Sequence, residues 1–589
     1  MSSDGDILAF QNSMDDNLAE ANTVLFNDKN YAFITDSTSN SGSFSSGQIT
    51  FDLATLNSQS QWINLSEAVI EFPVKVSIQY TTDNAGTGGE TNTIANLASI
   101  VMKNGWHQWI DSCQLIVNNQ TIQASQPWEN VAAQFRILSS WSQDNLRKWG
   151  PSCCVAVDDC SGDTLNLATA ALQNVAGISN TTYTVAATAG KGYDAVSNQA
   201  TMYNKGVAQR SVITNNDINP AAASLQTTVL GAAAMKTAGR SNVSYVDLGT
   251  TTVNDYIWSA NYMATVRLRD ICDINDFPLI KNLKGFLYLS FNSTQVSLTG
   301  TTSAAGAAAA VVASMNISPL TGHTTPFMIN NSATGLVLGS YATTNTTAPV
   351  VTVVGSVNGA TNTATEAIGS TGGPLLTNAR LLVPYYLANP KADTALSQSN
   401  KFFTTLEKII NPITVPAGVT INYTITTGVA NARRLIMLPM WQNLGQATPS
   451  TATVLTNPEY SPFDSVPGSS GPYCGLSNLQ VYLANKPIYQ YPVQYDYEQY
   501  VQEQAQLGLN GEMISEQTSG LLSQMLWEQN HRFYTVDLSR RMDSEDGSSK
   551  SVQVSFTNPS PTFGMKVIAI VQYERKWMCN TSQGLITAV

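Results

Sequence analysis

The chain has 589 residues, of which 43% are hydrophobic and only 12% charged, with a formal net charge of −12. Ordinary soluble proteins carry about 25% charged residues. A chain this acidic, with no basic arm at either end, is excluded from coating DNA or RNA by itself, because phosphate binding needs clustered Lys and Arg.

Thr, Ser, Asn, Gln, Ala and Gly stand where the charges are missing. Such a mixture of β-branched and turn-forming residues favours an all-β chain and a surface largely consumed by contacts. The length would suit about four domains, or two large sandwiches of roughly 200–250 residues with long insertions. Cys113, Cys153, Cys154, Cys160, Cys272, Cys474 and Cys579 are odd in number and scattered. That argues against a disulfide framework and for folding in a reducing compartment. The N-terminus, Met1 to Asp6, is acidic where a secretory signal would be basic, and no apolar run reaches the length of a membrane span. A secreted, carbohydrate-binding or adhesin-like β protein is the alternative on composition; the missing signal and the odd cysteine count weigh against it.

Residues 1–25 read as an arm. Ile7, Phe10, Met14 and Leu18 recur at helical spacing, with Asp6, Asp15, Asp16 and Glu20 on other faces. The pattern suits a docking helix and equally a helix packed on its own domain. Strands are expected at Tyr31–Ile34, Gln48–Leu53 and Ala68–Ile78, with Pro73 marking a bulge or an edge. Ile94–Lys103 reads as a short helix. Trp109–Val117 reads as a strand turning at Asn118-Asn119 into Thr121-Ile122. Pro127–Trp149 reads as helical, with Phe135 and Leu138 on the apolar face and Pro151 ending it. Residues 155–245 are a long, weakly patterned insertion of the kind that is functional or partner-covered. Tyr256–Leu268 is a strand, Asp270–Asp276 a brief helix or turn, and Gly285–Phe291 closes a first sandwich. A second insertion, about 294–378, holds Glu366 as its one charged residue, with strands near Gly335–Leu338 and Val350–Val354. A second sandwich follows, with strands at Ala379–Tyr386, Val419–Thr426, Arg434–Met440 and Leu479–Leu483. Helices are expected at Tyr495–Leu507 and Ser519–Glu528. Phe533–Ser539 and Ser551–Thr557 alternate as half-buried strands. Met565–Tyr573 is apolar on both sides, as a central covered strand would be.

Catalytic and metal patterns do not emerge. His107, His323 and His531 are far apart and in no metal-ligand spacing. Cys153-Cys154 with Cys160 lacks a second pair. No nucleophile elbow or phosphate loop is present. Asp158-Asp159 and Asp543/Glu545/Asp546 read as solvated loop charges rather than a Ca²⁺ site. Tyr495-Asp496-Tyr497 and Trp106/Trp109 suit a carbohydrate or stacking platform, and equally an aromatic belt in a sandwich core or a subunit interface. No enzyme activity, cofactor or metal is expected.

Several stretches resemble the double jelly-roll major capsid proteins of polinton-like viruses, adintoviruses and virophages, within the wider tectivirus and adenovirus lineage. They are Val266-Arg267-Leu268-Arg269-Asp270-Ile271 with Asp276-Phe277-Pro278, Pro416–Tyr423 with Asn431–Pro439, and Ser461-Pro462-Phe463-Asp464 leading into Leu476–Val481. Ser519-Gly520-Leu521-Leu522-Ser523, Trp527, His531-Arg532-Phe533-Tyr534 and Val536–Arg540 with Lys550–Gln553 complete the set. The likeness is dense over 376–589 and thins toward the N-terminus. It implies two tandem eight-stranded jelly-roll β-sandwiches: an arm over 1–25, a first jelly roll over 26–293 and a second over 294–589. It also implies a homotrimer forming a pseudo-hexameric capsomer, tiled with neighbouring capsomers and with penton and minor or cement proteins in an icosahedral shell of a dsDNA virus. No direct sequence-specific nucleic-acid contact follows from it, and an internal membrane is left open. The insertions would knit together as a tower on the outer face.

Overall fold

A computed structural model of the chain describes residues 25–37, 47–58, 60–83, 100–157, 210–213, 242–247, 253–300, 309–329, 337–340, 350–357, 379–397, 400–442, 474–507, 520–529, 531–539, 547–561 and 564–589. The first part holds β1 (Phe26–Thr35), β2 (Gln48–Asp52), β3 (Trp62–Ile63), β4 (Val69–Asp83), β5 (Ile100–Met102), β6 (Ile110–Val117), β7 (Gln120–Gln123), β8 (Ser211–Ile213) and β9 (Asn242–Asp247). It continues with β10 (Val253–Arg267), β11 (Gly285–Phe291), β12 (Ser293–Gly300), β13 (Ala309–Thr321), β14 (Phe327–Ile329), β15 (Val337–Ser340), β16 (Val350–Val357) and β17 (Arg380–Ala388). The second part holds β18 (Asn400–Val415), β19 (Thr420–Val429), β20 (Ala432–Gln442), β21 (Ser477–Leu483), β22 (Lys486–Pro487), β23 (Tyr534–Asp537), β24 (Lys550–Thr557), β25 (Gly564–Asn580) and β26 (Leu585–Ala588). The α-helices among the described residues are α1 (Glu129–Ser140), α2 (Gln143–Cys153), α3 (Leu268–Ile271), α4 (Pro390–Ser397), α5 (Tyr497–Leu507) and α6 (Gln524–Gln529).

Strand order defines the fold. In the second part the sheets run β18-β25-β20-β23 and β19-β24-β21-β22. Counted along β18 to β25, that is first-eighth-third-sixth and second-seventh-fourth-fifth. The first part repeats the order with β1-β17-β4-β10 and β2-β11-β6-β7. Both are eight-stranded jelly rolls, two Greek keys folded into facing sheets. The chain is an all-β tandem of the two.

This pairing moves a domain boundary. The strand expected to open the second sandwich, β17, pairs along β1 from Phe26↔Ala388 to Thr35↔Arg380, and with β4 from Arg380↔Glu71 to Leu382↔Val69. It is the eighth strand of the first jelly roll, so that unit ends near Ala388, not at 293. The 294–378 insertion therefore lies inside the first unit, between its seventh and eighth strands. Local periodicity marks β17 as a strand but carries no information on its distant partner.

The insertions lengthen the first sheet. β4 and β10 pair over fifteen positions, Val69↔Arg267 to Asp83↔Val253. On the other flank of β4, β17 covers residues 69–71 and β16 covers 74–81. Pro73 falls in the seam between those partners, where its missing N–H leaves no ladder bond open. It is neither a bulge nor an edge residue. Beyond β16 the sheet continues through β12, β13 and β15. A three-stranded sheet, β14-β5-β8, takes one strand from each of three separate connections, so strands of both long insertions pair with β5 within one chain. Here Ile100–Met102, expected as helix, is a strand. Pairing with Phe327–Ile329 overrides the helical spacing of a short apolar run.

Other expectations hold with adjusted ends. Asn118 and Asn119 have φ of 47° and 67°, the left-handed pair a two-residue hairpin requires. The predicted helix over 127–149 is two helices. Ser142 breaks it and caps α2 by accepting from Asn145 N at 3.2 Å. Pro151 sits inside the last turn of α2, which ends at Cys154 in the left-handed region. β18 escaped the pattern reading altogether, because doublets such as Phe402-Phe403, Thr404-Thr405 and Ile409-Ile410 blur the alternation.

Gly285 opens β11 with φ of 143°, and a Cβ there would lie 1.9 Å from the Ile116 carbonyl oxygen. Backbone strain and overpacking together predict a loss of about 3 kcal/mol for Gly285→Ala. A thermal unfolding midpoint within a degree of the parent would refute that.

Candidate functional site

The arm residues Ile7, Phe10, Met14 and Leu18 lie outside the described residues, as do Cys160, Asp158-Asp159 and Asp543/Glu545/Asp546. The three histidines do not converge. His107 is fully buried and bonds Gln134 Oε1 at 2.6 Å, and burial lowers its pKa to about 4. His323 bonds Asp111 at 3.0 Å beside the Trp128 ring. His531 is buried in the second unit, and burial lowers its pKa to about 3. Among the described residues no group of three His, Cys, Asp or Glu side chains is placed to hold a metal, and no helix is long and apolar enough to cross a membrane. Cys113, Cys153, Cys154, Cys272, Cys474 and Cys579 are buried thiols in no disulfide. Trp106, Trp109 and Tyr495 are core residues, and Tyr497 packs partly buried against the second core, an arrangement that favours the core belt.

What the fold does build is a junction between the jelly rolls. α1 and α2 belong to the connection between β7 and β10, yet their apolar faces pack into the core of the second unit. Phe135, Ile137, Leu138 and Trp141 join Ile436, Leu438, Phe533 and Val567 in one buried cluster. The Phe135 and Phe533 rings meet edge to face at 5.2 Å. Each such large side chain contributes about 1.5–3 kcal/mol on burial. The Leu138 and Trp141 carbonyls accept from Leu521 N at 2.7 Å and Gly520 N at 3.0 Å.

Polar groups fix the register of this packing. Lys408 on β18 donates from Nζ to the Glu129 carboxylate at the start of α1 and to Ile271 O at 3.1 Å. Both side chains are buried, at 2% and 0% exposure. Gln123 Nε2 donates to the other Glu129 oxygen at 3.3 Å. Burial raises the Glu129 pKa above its ordinary value, with the Lys408 charge pulling the other way. Nearby, Arg267 makes a two-pronged bond to Asp270 at 2.8 Å, stacks over Trp141 at 4.6 Å, and Trp141 Nε1 donates to Asp270 at 3.2 Å. These are the Arg and Asp of the Val266–Ile271 stretch, so that motif anchors the C-terminal end of α1.

A second contact runs the other way. The far ends of β18, β25 and β26 bury Phe403, Trp577, Cys579 and Ile586 in the core of the first unit, with Phe277 edge-on to Phe403 at 5.1 Å. Lys281 N donates to Thr581 O at 2.9 Å and Asn282 Nδ2 to Ser582 O at 2.9 Å. Lys281 also pairs with Asp393 on α4 at 2.5 Å. The units thus exchange core residues in both directions.

The sequence reading missed this junction. Glu129 and Lys408 are ordinary charged residues in sequence, separated by 279 positions, and nothing local signals their pairing.

Among solved structures the chain is similar to a chain of the Sputnik virophage cryo-EM structure, with 10% identity over 97% of this chain and 90% of that one and a TM-score of 0.49. It is similar to the mavirus major capsid protein, with 10% identity, 95% and 90% coverage and a TM-score of 0.40. It is also similar to the Faustovirus major capsid protein, with 9% identity, 95% and 91% coverage and a TM-score of 0.44. No family model matches, and no curated protein matches. The tandem jelly-roll assignment stands on this chain's own strand order.

Proposed function

We propose that the chain is a major capsid protein, a structural and non-enzymatic component of a virion. Three copies form a pseudo-hexameric capsomer, and capsomers tile an icosahedral shell with penton and minor proteins at its special positions. The observation that carries the reading is the repetition of one strand order in two units locked side by side. Each chain then offers two similar wedges, and three chains around an axis offer six. A cyclic trimer closes its own interfaces and stops growing. The low charge of the chain suits extensive subunit contacts, since interface cores are depleted in charge. Those capsid-like stretches that lie among the described residues, which Ser461–Asp464 does not, fall on or beside the elements that build the two sandwiches and their junction, which supports the same reading.

Light scattering on the size-exclusion peak of the purified chain tests it. A mass about three times 63.2 kDa, unchanged at high salt, is the expected result, because buried apolar contacts are little screened. A monodisperse monomer at both salt concentrations would overturn it.

A further inference from the structure

We infer that Cys113 and Cys272 form a bridging pair, a dithiol in the chain as it folds in reducing surroundings and a disulfide once a peroxide reaches it. Cys113 lies on β6, opposite Leu289 of β11. Cys272 ends α3, its N–H donating to Leu268 O at 2.8 Å. Both are fully buried in the core of the first unit. Their Sγ atoms lie 3.2 Å apart, across 159 positions of sequence. A disulfide bond measures about 2.05 Å, so the sulfurs need to close by about 1 Å. Turns of about 20° about each Cα–Cβ bond cover that distance and stay within one rotamer well. The adjacent pair Cys153-Cys154 is arranged differently. Cys153 packs in the core of the second unit and Cys154 in that of the first, so these two side chains point into different cores.

The chemistry balances with one equivalent of peroxide. A thiolate sulfur attacks a peroxide oxygen and becomes a sulfenic acid as the O–O bond breaks and hydroxide leaves. The second sulfur then displaces the sulfenic hydroxyl, which leaves as water. Two S–H bonds and the O–O bond are lost, and one S–S bond and two waters are gained. The sulfurs give up two electrons and the peroxide takes them. In the closed chain the hydrogen bond to Cys272, together with burial, holds the Cys113 thiol well above its ordinary value. A buried, protonated thiol is inert. The pair therefore survives folding as a dithiol and reacts slowly, through local openings.

The bridge bears on the junction. The residues it encloses include α1 and α2, which pack into the second unit. Ile271 O, next to Cys272, accepts from Lys408 Nζ at 3.1 Å. A cross-link over so long a loop removes much of the freedom of the unfolded chain. Release of a virion from a reducing cell would supply the oxidising surroundings. That use rests on the capsid reading, whereas the bridge itself does not, and it is tested on the chain alone.

The full chain is treated with hydrogen peroxide, its remaining thiols are blocked with N-ethylmaleimide in denaturant, and the unreduced digest is read by mass spectrometry. The expected result is a peptide pair joining Cys113 to Cys272, lighter by two hydrogens than the two peptides together and released by dithiothreitol. Both cysteines recovered blocked or as sulfinic acid, or either one joined to Cys153, Cys154 or Cys160, would overturn the inference. Oxidation should also raise the thermal unfolding midpoint by about 3–6 °C, and dithiothreitol should reverse the rise. In Cys272→Ala the linked peptide and the rise should vanish together. A rise that persists in that variant, or a linked peptide without a rise in the parent chain, would refute the stabilising role.

Discussion

Lys408→Met is expected to destabilise the chain by about 3–5 kcal/mol at neutral pH, because it leaves the Glu129 carboxylate buried and uncompensated. Glu129 has no exposure, and the remaining donor, Gln123 Nε2, sits at 3.3 Å. The pH dependence follows from the sign of the shift. Burial already raises the Glu129 pKa above 4.5 in the parent chain, and removing Lys408 raises it further. A carboxyl group shifted upward contributes stability that is complete below its unfolded value and is lost as pH rises through its folded value. The deficit of Lys408→Met relative to the parent should therefore shrink as pH falls toward 4.5. Adding Glu129→Leu should recover most of the loss, since an apolar pair of similar volume replaces a buried ion pair at little cost. Urea unfolding followed by tryptophan fluorescence reads all three. A single variant within about 1 kcal/mol of the parent, the worth of a surface ion pair, would show that the junction does not depend on this contact.

Trp527→Ala should cost a similar amount, about 3–5 kcal/mol, through the layer of aromatic rings over β23. Trp527 is buried, with Tyr497, Tyr500 and Tyr534 at 5.7–5.9 Å between centroids. Its Nε1 donates to Phe533 O at 2.7 Å. Trp527→Phe keeps most of the apolar contact and orphans that carbonyl, so a smaller loss of about 1–3 kcal/mol is expected. Equal losses for the two variants would place the effect in the hydrogen bond alone. The same layer sets an alkaline limit. Burial holds the Tyr534 phenol up at about 12, and Tyr495 is also raised. Neutral phenols contribute stability that is complete below pH 10 and lost as pH climbs toward 12, so unfolding and the rise in tyrosinate absorbance should coincide in that window.

The closing strands show how far local pattern reaches. Val552, Val554 and Phe556 are fully buried, as their alternation predicts, and Met565–Val571 is covered on both faces between β18 and β20. On β23 the pattern is only half the answer. Thr535 and Asp537, predicted to face outward, are buried as well, because α5 lies over them. Tyr495 Oη donates to Thr535 O at 2.7 Å, and Glu503 accepts from Asp537 N at 2.9 Å. A polar residue on a strand marks a polar neighbour, and that neighbour can be a helix as readily as water.

The sequence by itself determined the all-β class, most strand positions and the turn chemistry at Asn118-Asn119. These follow from side-chain period and backbone preference, which act over a few residues. Only the tertiary structure decided which jelly roll owns β17, that insertions from three connections share one sheet, and that Glu129 meets Lys408 across the junction. Each of those is a pairing between residues far apart in the chain, chosen by the combined burial of two surfaces, and neither surface carries the identity of its partner.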